Sequence, residues 1–148
     1  MALVISPATG PNPPAPFPIR EGGAGPAFLL AYSPSRVGKG LGLGLLPAGS
    51  VTKAELVYGA HKSAKVAENL QKLETFFTGL DSLPFDDPAA GMAGEIRATL
   101  DRQGQQIGPN DLLIASIALA YGLTLVSHNT GEFGRVPGLR LEDWEAEP

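Results

Sequence analysis

Asp111 is the residue around which chemistry is most readily built. It follows Ile107-Gly108-Pro109-Asn110 and precedes Leu112-Leu113-Ile114-Ala115-Ser116-Ile117-Ala118-Leu119-Ala120, where Ser116 is the sole polar side chain before Tyr121. Further on, His128-Asn129-Thr130-Gly131-Glu132 collects an imidazole, an amide, a hydroxyl and a second carboxylate. Between the two lies Leu123-Thr124-Leu125-Val126-Ser127, which reads as a short strand buried on both faces, as in a parallel sheet. Such sheets bind their ligands beyond the carboxyl ends of the strands. A carboxylate at a helix start and a polar cluster at a strand end can then share one crevice. Taken alone, Asp111 has a plainer reading as a helix cap, because Asn and Asp are favoured there.

These groups need elements to position them. Pro109 is tolerated at the first turn of a helix and not inside one. Asn110 or Asp111 can cap that turn, the apolar run predicts a fully buried helix, and Gly122 suits its end. Upstream, Thr52-Lys53-Ala54-Glu55 fits a capping box, with Thr at the cap and Glu three residues on. Leu56, Val57 and Ala60, then Val66, Leu70, Leu73, Phe76, Phe77 and Leu80, keep helical spacing. They predict one long or two short amphipathic helices, with Lys62-Ser63-Ala64-Lys65 as the natural break. Leu83-Pro84-Phe85 reads as a short edge strand. Asp86-Asp87-Pro88 starts another helix, with Met92, Ile96 and Leu100 inward and Gly104 at its end. Leu139-Arg140-Leu141-Glu142-Asp143-Trp144 alternates like a final strand. The order predicts an α/β fold with helices around a parallel sheet.

Composition narrows the function classes. The chain has 148 residues and a formal charge of −4, so no overall basic field advertises nucleic acid or an anionic membrane. A cation held by carboxylates can still supply positive charge locally. There are no cysteines, which excludes disulfides, thiolate nucleophiles and Cys-based zinc sites. No apolar run approaches the ~20 residues of a membrane span. The N-terminus has no basic region leading into a long apolar core, so a signal peptide is not expected. A cytoplasmic setting fits.

Residues 1–49 differ from the rest. They hold nine of the 14 prolines and nine of the 19 glycines, and a single acid, Glu21. The run Pro11-Asn12-Pro13-Pro14-Ala15-Pro16-Phe17-Pro18 resists both helix and sheet interiors. Gly40-Leu41-Gly42-Leu43-Gly44 lacks the following Gly-Lys-Ser/Thr of a phosphate loop. The expectation is an irregular Gly/Pro-rich segment over 1–49 and a folded domain over 50–148, with no convincing strand before Ser50.

Residues 50–148 resemble the PIN domain of bacterial VapC-type toxins. Ser50-Val51-Thr52-Lys53-Ala54-Glu55-Leu56-Val57-Tyr58-Gly59-Ala60 is similar to the family's "S-x-T-x-A-E-L-x-x-G" helix start. Phe85-Asp86 with Ala89-Ala90, then Ile96-Arg97-Ala98-Thr99-Leu100, match the middle helix. Ile107 to Ala115, Leu125 to Phe133, Arg135-Val136-Pro137-Gly138-Leu139 and Glu142-Asp143-Trp144 follow in the family's order. Each piece is weak alone. All of them in order, over about two-thirds of the chain, make a specific match.

The resemblance implies a metal-dependent endoribonuclease, the toxin of a type II toxin–antitoxin pair. It implies acids at the carboxyl edge of a parallel sheet holding Mg²⁺ or Mn²⁺, for which hard oxygen ligands are suited. Carried over residue by residue, Asp111 and Glu55 are the metal ligands. Asn129, where many members have Asp, and Glu132 complete the catalytic set. RNA is the implied substrate, a small antitoxin the partner and a homodimer the assembly, with no membrane involved. His128 reads as a loop residue rather than a ligand. Lys62 and Lys65 are candidates for RNA phosphates or for a solvated helix face. Trp144 reads as packing.

The match departs from the family at its start. Members open with a strand ending "L-D-T-N", whose Asp is a principal ligand at the centre of the sheet. Here no Asp precedes Asp81. Two accounts fit: a shifted reading frame that rejoins the family frame near Ser50, or a replacement in which Phe28–Tyr32 fill the central strand. Two function classes follow. One is the ribonuclease. The other is a catalytically degenerate PIN-like module that binds an antitoxin or a second toxin copy. Metal binding at Asp111 and Glu55 marks the first; partner binding without metal or cleavage marks the second.

Overall fold

The computed structural model describes residues 30–32 and 46–143. A short strand, β1 (Leu30–Tyr32), is followed by β2 (Leu46–Gly49), which leads directly into α1 (Ser50–Lys62) and then α2 (Val66–Phe77). Next come β3 (Leu80–Leu83), α3 (Asp87–Gln103), α4 (Pro109–Ala120), β4 (Thr124–Val126), the one-turn α5 (Thr130–Phe133) and β5 (Arg140–Glu142). The break between α1 and α2 falls in the predicted polar stretch.

The strands form two groups. β2 and β3 pair in parallel, Leu46 opposite Leu80 and Gly49 opposite Leu83. β4 sits between β1 and β5, parallel to β5 and antiparallel to β1. The α/β class holds, but the expected all-parallel sheet is mixed. Leu30–Tyr32, within the segment considered for the central strand, does line the middle strand of its group, running opposite to it. Two strands therefore precede Ser50 where none was expected. The alternating glycines, the proline run and Trp144 lie outside the described residues.

The core follows from the apolar periodicities. Ile96 and Leu100 of α3, Ile114, Ala115 and Ala118 of α4, Leu125 of β4, Phe133 of α5 and Val136 form one buried cluster, with Met92 partly buried against it. β4 is buried along its whole length, as a strand covered on both faces must be. In α4 the buried stretch is Ile114 to Ala118, while Leu112, Leu113 and Leu119 are half-buried. Leu56, Ala60 and Leu73 close a second cluster between α1 and α2.

Helix ends show which local rules held. Asp86 caps α3, its Oδ1 accepting from the Ala89 N–H at 3.1 Å, and the first turn contains a proline. Gly104 ends that helix at φ 64°, in the left-handed region that glycine tolerates. Gly122, at φ 62°, follows the end of α4 in the same way. Other expectations fail. The cap of α4 is Gly108, with no side-chain cap bond, so neither Asn110 nor Asp111 serves there. The cap of α1 is Gly49, and Thr52 lies inside the helix, so the capping box does not form. The Thr52 hydroxyl is buried without a hydrogen-bond partner. The strand expected at Leu83–Phe85 ends at Leu83, because the chain turns there into the α3 cap. Phe85 is left 37% exposed.

Candidate functional site

Four elements bring the predicted residues together. Asp111 lies in the first turn of α4 and Glu55 in the middle of α1. Asn129 precedes α5 and Glu132 lies within it, immediately after the buried strand β4. The short α5 is anchored by Phe133, which is 1% exposed in the core. Glu132 is thereby fixed one residue from an immobile side chain.

Each carboxylate has one oxygen held by a neutral N–H donor. Asn129 Nδ2 donates to Asp111 Oδ2 at 3.1 Å. The Gly108 backbone N–H donates to Glu132 Oε2 at 2.7 Å. Asn110 Nδ2 donates to Glu55 Oε1 at 2.7 Å. Asp111 and Glu132 also lie close enough for each to shift the titration of the other.

The surroundings push the two carboxyls in opposite directions. Burial pushes the Asp111 carboxyl up from 3.8 to about 7. The hydrogen bond and the charge of Glu132, then the charge of Glu55, push the same way, and the Asn129 amide opposes them. Glu132 is held below its ordinary value, first by the Gly108 N–H, then by Asp111 and the charge of Arg135, against a small cost of burial. Of the two, Asp111 is the carboxyl that holds a proton more readily. Perturbation of this kind marks functional sites more often than structural ones.

Gly108 matters because it is close. A Cβ there would lie 3.3 Å from Asp111 Oδ2 and 3.4 Å from Glu132 Oε2. Its φ of −55° is ordinary, so space and not backbone conformation is what glycine provides.

The donor set consists of oxygens only, from Asp111, Glu132 and Glu55, which fits a hard divalent cation. Among the described residues, however, no three His, Asp or Glu side chains close on one metal-sized point. His128 is exposed and bonds Asp143 Oδ2 through Nδ1 at 3.0 Å. The candidate basic groups serve their own helices. Lys62 lies over the Tyr58 ring at 5.2 Å, Lys65 pairs with Glu68 at 3.6 Å and Arg97 with Asp101 at 4.0 Å. Gly108 and Asn110 were not among the predicted site residues. Their one signal, a glycine and an amide beside an acid at a helix start, is shared with ordinary caps and turns.

A family model described as the PIN domain matches residues 49–139, a span that includes Glu55, Asp111, Asn129 and Glu132. The chain belongs to the PIN domain family. It is 44% identical over 119 residues to the tRNA(fMet)-specific endonuclease VapC of Shigella flexneri, covering 79% of this chain and 90% of that protein. It is 45% identical over 96 residues to Ribonuclease VapC2 of Rickettsia felis, covering 65% and 72%. Among solved structures it is similar to VapBC2 from Rickettsia felis bound to a DNA fragment from their promoter. There the TM-score is 0.63 at 44% identity, over 66% of this chain and 73% of the other. VapBC-1 from nontypeable Haemophilus influenzae gives a TM-score of 0.66 at 32% identity, over 76% and 84%. The PIN domain of this chain thus has relatives named as ribonucleases and fold neighbours solved as VapBC complexes. Among the described residues, no helix is long and apolar enough to cross a membrane.

Proposed function

We propose that this PIN-domain chain is a metal-dependent endoribonuclease and the toxin of a type II toxin–antitoxin pair. The observation that carries this reading is the gathering of Asp111, Glu132 and Glu55 from three helices, with the first raised to about 7 by burial and by the other two. Like charges are not collected in a half-buried place for stability. Such a cluster favours a divalent cation.

Asp111, Glu55 and Glu132 would hold Mg²⁺ or Mn²⁺. When bound, such an ion lowers the pKa of water and offsets charge on a phosphate. The remaining work belongs to the chain. Asn129 orients Asp111 and favours its charged form without adding charge of its own. The Gly108 N–H keeps Glu132 ionised. The raised Asp111 carboxyl loses its proton as the pH rises, so metal binding and cleavage strengthen through about pH 7.

RNA is the substrate class, and tRNA(fMet), in the name of the Shigella relative, is the first to try. The partner is a small antitoxin, in line with the VapBC neighbours; a homodimeric assembly and a cytoplasmic setting belong to the same reading. Incubating the purified chain with this tRNA and Mg²⁺ or Mn²⁺, with and without EDTA, tests the reading. Cleavage abolished by EDTA supports it; RNA left intact by the folded protein opposes it.

One observation favours a second reading. No three ligating side chains close on one point among the described residues, and no Asp stands before Asp81. A PIN-like module that binds antitoxin or a second copy without cutting RNA accounts for both. Antitoxin binding with no metal uptake would establish it.

A further inference from the structure

Asn110 is exposed on the first turn of α4. Packing does not explain its presence there, and it is not a cap, since that position is Gly108 and no side chain caps the helix. Inside a helical turn Asn is a poor choice, because its short amide competes with the backbone. Its side chain instead reaches another element. Nδ2 donates to Glu55 Oε1 at 2.7 Å, across 55 positions of sequence.

Glu55 needs such a partner. It sits on α1 and adds negative charge beside Asp111, so repulsion drives it outward. A long, half-exposed glutamate has several rotamers, and most of them carry the carboxylate away from the cluster. An amide is the suitable restraint. It donates a hydrogen bond without a positive charge that would compete with a cation. It also engages one oxygen and leaves the second free. The same arrangement serves Asp111 through Asn129 and Glu132 through Gly108. Residues 108–111 thus supply one acid of the cluster and restrain the other two.

We infer that Asn110 is a positioning residue that holds Glu55 of α1 beside the Asp111–Glu132 pair. The inference rests on the nuclease reading for its functional meaning, but the contact stands or falls separately.

A double-mutant cycle tests it. Mn²⁺ affinity is measured by electron paramagnetic resonance for the full chain, Asn110→Ala, Glu55→Ala and the double variant. Support of a ligand from outside the metal's own shell predicts that Asn110→Ala weakens Mn²⁺ binding about tenfold, with Tm nearly unchanged. In the Glu55→Ala background the same substitution should change nothing, because the effect passes through Glu55. Additive losses, or no loss in the first background, overturn the inference. The Asn110 side-chain amide signals, followed by NMR without metal, provide the second readout and should shift in Glu55→Ala. If they shift while the wild-type chain neither binds Mn²⁺ nor cuts RNA, the nuclease reading fails and the positioning contact survives. If they do not shift, the contact itself is refuted.

Discussion

Asn129 and Asp111 are 18 positions apart and meet with the Asn129 amide nitrogen 3.1 Å from Asp111 Oδ2. The bond ties the loop after the buried strand β4 to the first turn of the buried helix α4. Where many PIN domains place a further Asp, this chain places a group that donates to its acid. Asn129 offsets part of the repulsion around Asp111, and Glu132 in the same loop supplies the charge.

The first concerns stability against pH. Asp111 has a folded pKa of about 7 against an ordinary 3.8. The folded state therefore keeps a proton that the unfolded state releases. Stability falls as pH rises from about 4 to about 7 and is level above that. Asp111→Asn removes the penalty, and the new side-chain oxygen can still accept from Asn129. After discounting for screening of this half-exposed group, the variant should gain about 1–2 kcal/mol at pH 8 and nothing at pH 4. Thermal unfolding of both proteins at the two pH values, without metal, measures this.

A second prediction separates space from backbone at Gly108. Alanine fits its φ of −55°, so Gly108→Ala should leave Tm unchanged or slightly higher. The new methyl would press on Asp111 Oδ2 and Glu132 Oε2, at 3.3 and 3.4 Å. Misplacement near reacting groups by a fraction of an ångström lowers rates sharply, and about tenfold to a hundredfold slower RNA cleavage is expected. Calorimetry and a single-turnover cleavage assay of one preparation give both halves.

The third lies outside the site. The Tyr121 hydroxyl donates to Asp86 Oδ2 at 2.8 Å, so the cap of α3 also holds the end of α4. Tyr121, then the Ala89 N–H, keep Asp86 below its ordinary value of 3.8. A depressed carboxylate contributes stability above its unfolded pKa and loses it as pH falls through the folded one. Tyr121→Phe should therefore lower Tm at pH 7, and the gap should close as pH falls below 3.8. Unfolding curves across that range follow the closure.

Much of this was legible in the sequence where a rule is local. The α1–α2 break, the Asp86 cap, Gly104, Gly122 and the buried strand β4 depend on neighbours within one turn. The two missed caps show the limit. Thr52 and Asn110 have cap chemistry, but β2 runs straight into α1, and Gly108 lies one residue before Pro109. Those geometries are set by long-range packing. β1 was legible only as one option for Phe28–Tyr32, and β2 escaped notice, because three or four residues of Leu, Ala, Pro, Gly and Tyr carry no strand period. Their pairing with β4 and β3 is decided by partners far along the chain. Within the site, the acids were legible as types and order. The donors Asn110 and Gly108 were not, because an amide or a glycine at a helix start has many ordinary uses.

The fourth prediction tests the central claim, that Asp111 with Glu132 and Glu55 carries out metal-dependent RNA cleavage. Single-turnover cleavage of tRNA(fMet) is measured at pH 8 with Mn²⁺ for the wild-type chain and for Asp111→Asn. The variant is expected to be the more stable protein, so lost activity cannot be assigned to unfolding. A drop of about a hundredfold or more in the variant, with wild-type cleavage abolished by EDTA, is the predicted result. Equal rates for the two proteins, or wild-type cleavage that persists in EDTA, would contradict it.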